Sequence, residues 1–255
     1  MRSSITAAQF KKHLGLQDDY KVDGVLCYGT SDQEKAINDL TTCLNKLEIS
    51  AKPIPFTSFI MHSVREINIG SKRFWFVLAY GGAELSEYLH LACLFGSQKN
   101  IFVGSCGGLK TGMRSGDFIV PISSYGQESS VRIYNREDPI QYSDKNLSNS
   151  LEKRLSGDSI KIWEGPMVTC QGSLGQTEDD VRKWSDEGYF GVDMETSTVF
   201  AVSNHFSVPS AASVYVADNI VEGQTPLSED FASQADMRQQ RRHRQIQTAL
   251  EELLA

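Results

Sequence analysis

Three strings far apart in the chain carry residue types that can do chemistry together: Gly104-Ser105-Cys106-Gly107-Gly108, Val192-Asp193-Met194-Glu195-Thr196 and Val216-Ala217-Asp218-Asn219. Each follows or lies inside a run of apolar, β-branched residues. Each therefore places polar atoms at the end of a buried strand, where open α/β sheets bind ligands. The glycines offer backbone N–H groups, and the two separated carboxylates, Glu195 and Asp218, offer ion–dipole contacts. That set suits a sugar joined to a base.

The elements that must position these strings follow from periodicity. Residues 1–21 are a polar N-terminal lead-in, and 22–255 read as one domain. Val22 to Tyr28 reads as a strand, stopped by Gly29-Thr30-Ser31-Asp32, a turn that caps a helix from Gln33. Strands are expected at 62–69 and 73–80, a Gly81-Gly82 break follows, and then a helix over 84–96. Ile101-Phe102-Val103 is a short strand ending in the glycine string, and Asp117 to Ile122 is another. The Ser-, Asn-, Asp- and Gln-rich segment 123–150 reads as a long loop. Strands at 159–170, 189–194 and 209–216 alternate with helices at 177–187, 195–206 and 233–254. This alternation gives an α/β fold of three layers, α/β/α, with a mixed central sheet flanked by helices.

The chain has 255 residues, 40% of them hydrophobic, enough for one buried core. No stretch of eighteen apolar residues and no leader-like N-terminus is evident, so the protein is expected to be cytoplasmic, with no membrane partner. Five cysteines form no CxxC pair and sit among apolar neighbours, as reduced thiols do; no metal site and no cofactor is expected. A net charge of −7 argues against a nucleic-acid partner. The cluster Arg238, Arg241, Arg242, His243, Arg244 reads as a solvated helix face.

The order and separation of the strings resemble the nucleoside phosphorylase/nucleosidase family, which includes purine nucleoside phosphorylase, uridine phosphorylase and methylthioadenosine/S-adenosylhomocysteine nucleosidase. The likeness runs from about residue 22 to 254. It implies an enzyme that cleaves the N-glycosidic bond of a nucleoside or related N-ribosyl compound. It also implies a homo-oligomer, dimer or hexamer, in which a neighbour closes the site, with His62 or Arg65 in the segment to watch. Met194 and Glu195 match the residues at the ribose, the glutamate holding sugar hydroxyls, and Asp218 matches the general acid at a purine. A strand end between Tyr215-Val216 and Ile220 would raise its pKa. Gly29, Gly104, Ser105 and Gly107 complete the substrate-binding set, Ser105 donating to the acceptor oxygen. Taken singly, Glu195 also reads as an acid at a helix N-terminus, and Asp218 as a turn residue.

Departures from the resemblance bear on the acceptor. Where the phosphorylases carry phosphate-holding arginines, this chain has Gln33 and Phe102, and a third arginine has no clear counterpart. A hydrated dianion binds poorly without such partners, which favours water over phosphate. The hydrolytic branch instead carries a glutamate five residues after the first glycine, here Glu34, to activate water; a first-turn helix acid is the other reading of that residue. The segment 169–177 lacks the aromatic on which the base usually stacks, although Gly175-Gln176 resembles the Gly-Gln with which uridine phosphorylase reads uracil. A noncatalytic nucleoside-binding protein of the same fold is the alternative. A dinucleotide fold lacks its G-x-G-x-x-G, and a hydrolase on Ser105 or Cys106 lacks G-x-S-x-G.

Overall fold

The computed structural model describes residues 6–56, 58–126, 129–157 and 160–255. Short α1 (Ala7–His13) leads into β1 (Gly24–Gly29), α2 (Gln33–Lys46), β2 (Ile54–Pro55), β3 (Val64–Ile69), β4 (Lys72–Ala79), α3 (Gly82–Leu94) and β5 (Asn100–Gly108). The chain continues through β6 (Phe118–Gly126), α4 (Ser129–Tyr134), β7 (Ile140–Tyr142), α5 (Lys145–Leu155), β8 (Ile162–Thr169), α6 (Glu178–Asp186) and β9 (Gly191–Asp193). It closes with α7 (Thr196–His205), β10 (Ser210–Asn219), α8 (Glu229–Ser233) and α9 (Ala235–Leu254).

Local signals account for most of these elements. The Asp32 side chain accepts from the Lys35 N–H and starts α2, whose Ala36, Leu40, Cys43 and Leu44 are buried at three- and four-residue spacing. Thr177 and Asp180 cap α6 reciprocally. Gly81, at φ +96°, turns the chain from β4 into α3, a conformation that favours glycine.

The central strands are apolar on both faces because helices cover both. Val25, Cys27, Trp75, Val77 and Phe102 pack with α3 and α7 on one side. Leu26, Tyr28, Phe76, Ile101 and Val103 pack with α2, α5 and α9 on the other. Each such fully buried large side chain contributes about 1.5–3 kcal/mol. The result is the expected three-layer α/β/α arrangement around a mixed sheet.

The sheet runs β10-β6-β8-β9-β5-β1-β4-β3-β2, with β7 paired to β6, and β10 pairs additionally with β5. That last pairing closes β5, β10, β6, β8 and β9 into a ring, where an open sheet was expected.

Other expectations are corrected. The segment 123–150 is not a long loop: apart from residues 127 and 128, which lie outside the described residues, it holds the end of β6, then α4, β7 and α5. Its polar composition hid the start of α5, whose Leu147, Leu151 and Leu155 are buried four residues apart and run on past residue 150. The glycine string lies inside β5, and Asp218 inside β10, rather than after those strands. The lead-in forms α1 over part of its length, with residues 1–5 outside the described set; residue 159, the expected start of β8, also lies outside it.

The basic cluster on α9 is not a solvated face either. Arg242 and His243 both bond the buried Asp39 at 2.8 Å. Arg241 donates to the Gly116 carbonyl, Arg244 to that of Arg154, and Arg238 is buried over the Phe231 ring. Four of the five cysteines are buried, and Cys170 is half-buried.

Candidate functional site

The three strings meet at one residue. Gly107 of β5 pairs with Val192 of β9 on one side and with Asp218 of β10 on the other. Gly108 is likewise flanked by Gly191 and Asn219. Hydrogen-bonded strands lie about 4.8 Å apart, so segments more than eighty residues apart in sequence become adjacent rungs. An added Cβ at Gly107 would fall 2.1 Å from the Ile220 side chain, so any other residue here would have to displace Ile220.

A bulge aims Asp218. The β10–β5 register shifts between Val216 and Asp218: Val216 stands opposite Cys106, and Asp218 opposite Gly107. Paired residues on neighbouring strands share a face, and consecutive residues alternate. Without the extra residue, Ala217, Asp218 would share the core-facing side of Val216; with it, Asp218 turns to the opposite face. There it lines a cavity of about 580 Å³. Burial pushes its pKa up to about 6, against the opposing charge of Arg238.

Glu195 follows β9 and precedes α7, and it is 5% exposed. Its Oε1 accepts the Gly81 N–H at 2.6 Å, at the N-terminal end of α3. Its Oε2 lies toward Gly29, where an added Cβ would approach it to 3.1 Å. Burial, and then the charge of Asp193, push Glu195 above the ordinary carboxylate range. Asp193 is spent structurally, accepting from Thr169 Oγ1 and from the backbone and hydroxyl of Thr196. Gln171 supports the same corner by accepting from the Gly82 N–H and donating to the Met194 carbonyl.

Gly29, Gly104, Ser105, Gly107, Gln176, Met194, Glu195 and Asp218 thus border one cavity. Glu34 does not. It sits exposed on the first turn of α2, while Asp32, Lys35 and Ala36 face the cavity. A residue two positions from Asp32 lies about 200° around the helix, so counting from Gly29 placed the carboxylate on the wrong side. Gln33 points elsewhere as well, donating to Ser63 Oγ at 2.9 Å. His62 pairs with Glu84, and Arg65 bonds the His62 and Val64 carbonyls; neither borders the cavity.

Cavity residues that escaped sequence reasoning include Lys35, Tyr80, Phe231 and Arg242. Tyr80 and Phe231 are aromatic surfaces outside the segment searched for a stacking partner. The Phe102 ring lies beneath Gly29 and Gly104, about 3 Å from where a Cβ of either would stand. A second cavity, about 600 Å³, continues past Asp218 and Gln176 toward Arg182, Gln224 and Thr225. Burial, with Asp193 and Asp218 nearby, raises the Cys106 thiol well above its ordinary value, which disfavours the nucleophilic thiolate.

This convergence of strands is matched by similarity along the chain, because the phosphorylase superfamily matches residues 66–251. The chain belongs to that superfamily. Among similar proteins, the guanosine phosphorylase of Halorubrum lacusprofundi is 25% identical over 120 residues, 47% of this chain and 50% of that protein. The purine nucleoside phosphorylase DeoD-type 2 of Vibrio vulnificus strain YJ016 is 24% identical over 145 residues, 56% of this chain and 61% of that one. The chain thus spans half to three-fifths of the length of these curated relatives. The crystal structure of uridine phosphorylase from Vibrio fischeri ES114 superposes with a TM-score of 0.77 at 17% identity, over 100% of this chain and 99% of that one. The phosphorylase superfamily fold is therefore shared along the full length. Among the described residues, no helix is long and apolar enough to cross a membrane.

Proposed function

We propose that this superfamily member cleaves the N-glycosidic bond of a nucleoside or related N-ribosyl compound. Glu195 Oε2 holds the sugar hydroxyls, and Asp218 protonates the departing base. As the C1′–N bond breaks, its electron pair leaves with the base, which takes the Asp218 proton. The cationic sugar is stabilised by carboxylates until the acceptor oxygen bonds C1′, a water acceptor losing one proton that restores Asp218 to its acid form. The observation that carries this reading is the pairing of Gly107 with both Val192 and Asp218, which brings sugar holder and acid to one cavity.

For the acceptor, Phe102 beneath Gly29 and Gly104 and Gln33 turned to Ser63 support water over a phosphate held in the phosphorylase manner. Glu34 is exposed and does not border the cavity, which gives no support to it as the base for that water.

The test is incubation with adenosine, guanosine and uridine, with and without phosphate, followed by chromatography of base and sugar. Free base with ribose marks water as acceptor, and ribose 1-phosphate marks phosphate. Binding without turnover at high protein concentration would defeat the catalytic reading and leave a nucleoside-binding protein.

A further inference from the structure

The space around Glu195 and Asp218 does not end at Asp218. Ser173, Gln176, Asp218, Ile220 and Pro226 border both that cavity and the second one, of about 600 Å³, so the two adjoin there. Residues that border one cavity alone give the pair a direction. Gly29, Gly104, Met194 and Glu195 belong to the first only, and Val181, Val221, Gln224 and Thr225 to the second only. On the nucleoside reading, on which this inference rests, the sugar lies at Glu195 and the departing base at Asp218. Whatever the base carries on its far side then points into the second cavity. Ligand pockets run to about 300–1,000 Å³, so the first cavity, of about 580 Å³, already lodges a sugar with its base. The second is room for a further group.

Both walls of that second cavity are anchored. On one side Thr177 and Asp180 cap α6, and Ser185 ties the helix to the Leu109 carbonyl at 2.9 Å. On the other, Asn219 donates to the Lys110 and Met113 carbonyls, each at 3.0 Å, and holds the turn Ile220–Glu222. The floor is apolar: Val181, Ile220 and Val221 pack against Leu109, Val168 and Val192 but are only half-buried, and they border the cavity. The rim is polar. Gln176 makes no side-chain hydrogen bond among the described residues, and Gln224 commits only its oxygen, to the Asn219 N–H at 2.8 Å. The charged side chains at its edge, Glu178, Arg182 and Asp186, are exposed, and Arg182 pairs with Asp179 at 3.3 Å. A carbon floor under uncharged amides suits a neutral, largely apolar group, whose burial releases water from both surfaces.

We propose that the second cavity receives an apolar substituent, aryl or alkyl, on the far side of the leaving base. The substrates are then N-ribosyl compounds whose leaving group is larger than an unsubstituted purine or pyrimidine. The bond chemistry is unchanged: C1′–N breaks, its electron pair goes to the base with the Asp218 proton, and the substituent stays on the base. The cavity adds binding and selection.

The test compares N6-benzyladenosine with adenosine and 5-benzyluridine with uridine on the full chain, by titration calorimetry and by chromatography of the released base. In at least one pair the benzyl compound should bind on the order of tenfold more tightly than its parent, the gain of burying an aromatic ring. Val221→Trp and Thr225→Trp, which fill the second cavity and not the first, should bring that ratio to one or below. Both members of a ratio are read in the same variant, so a partial loss of fold cancels. Benzyl compounds that bind no more tightly than their parents, or a ratio that both tryptophan variants leave unchanged, overturn the substituent pocket, and cleavage of the parents would then still keep the glycosidic reading. Tighter benzyl binding without base release would keep the pocket and sink the catalytic reading. Failure of every compound to bind sinks the pocket together with the nucleoside reading.

Discussion

Asp218 keeps its proton at a pH where most carboxylates have lost theirs, because the bulge places it in a partly dry wall. A general acid contributes about 10²–10⁴ in rate. Asp218→Asn should therefore slow purine release about 10²- to 10³-fold, and the wild-type rate should fall as pH rises through about 6, a limb that the variant lacks. Steady-state rates over pH 4–8 would check this. The stability sign follows from the raised pKa. The native state binds the Asp218 proton more tightly than the unfolded chain does, so this contribution is complete below the unfolded value of about 4 and is lost as pH rises through about 6. Melting curves should accordingly show Asp218→Asn gaining on the wild type across that window. On the proposed reading Glu195→Ala removes the acceptor of the sugar hydroxyls; a hydrogen bond is worth about 0.5–1.5 kcal/mol, so nucleoside affinity should drop up to about tenfold by calorimetry. Both carboxylates were legible through the order of the three strings and the resemblance it carries, since each taken singly also reads as a helix N-terminal acid or a turn residue. Lys35 and Arg242 were not, since one lysine on a polar helix and one arginine in a basic run carry no local mark.

Elements set which way those residues point, and here the sequence was less explicit. The existence of α2 could be read from its Asp32 cap, but its rotation could not be taken from the distance to Gly29. The usable signal was the stripe Ala36, Leu40, Cys43 and Leu44, which fixes the inward face and leaves Glu34 off it. The β10 bulge left no trace in composition, because it is a property of the pairing with β5. Helices α2 and α9 are joined by the Arg242–Asp39–His243 set, with Asp39 only 3% exposed. Asp39→Ala would leave a largely buried guanidinium uncompensated and should cost on the order of 3 kcal/mol, measurable by urea denaturation. Replacing both partners with apolar residues should cost less.

At the scale of the whole molecule, the layered α/β/α plan was legible from alternating apolar strands and helices, whereas the ring of five strands was not. Its closing contact joins residues 210–219 to 100–108, and no local pattern encodes a pairing across a hundred residues. Dense packing also makes a prediction about thiols. With Cys27, Cys43, Cys93 and Cys106 buried, a thiol reagent should react quickly with Cys170 and with the other four only on unfolding; two or more fast thiols in the native protein would contradict the packing. The rim of the sheet has its own consequence. Among the described residues, its outermost strands are β2, two residues long and ending in Pro55, and β7, three residues long. Neither rim offers enough unpaired amides to template a stranger's backbone, and proline lacks one altogether. Lateral strand addition at β2 and at β7 is thus disfavoured in the native state.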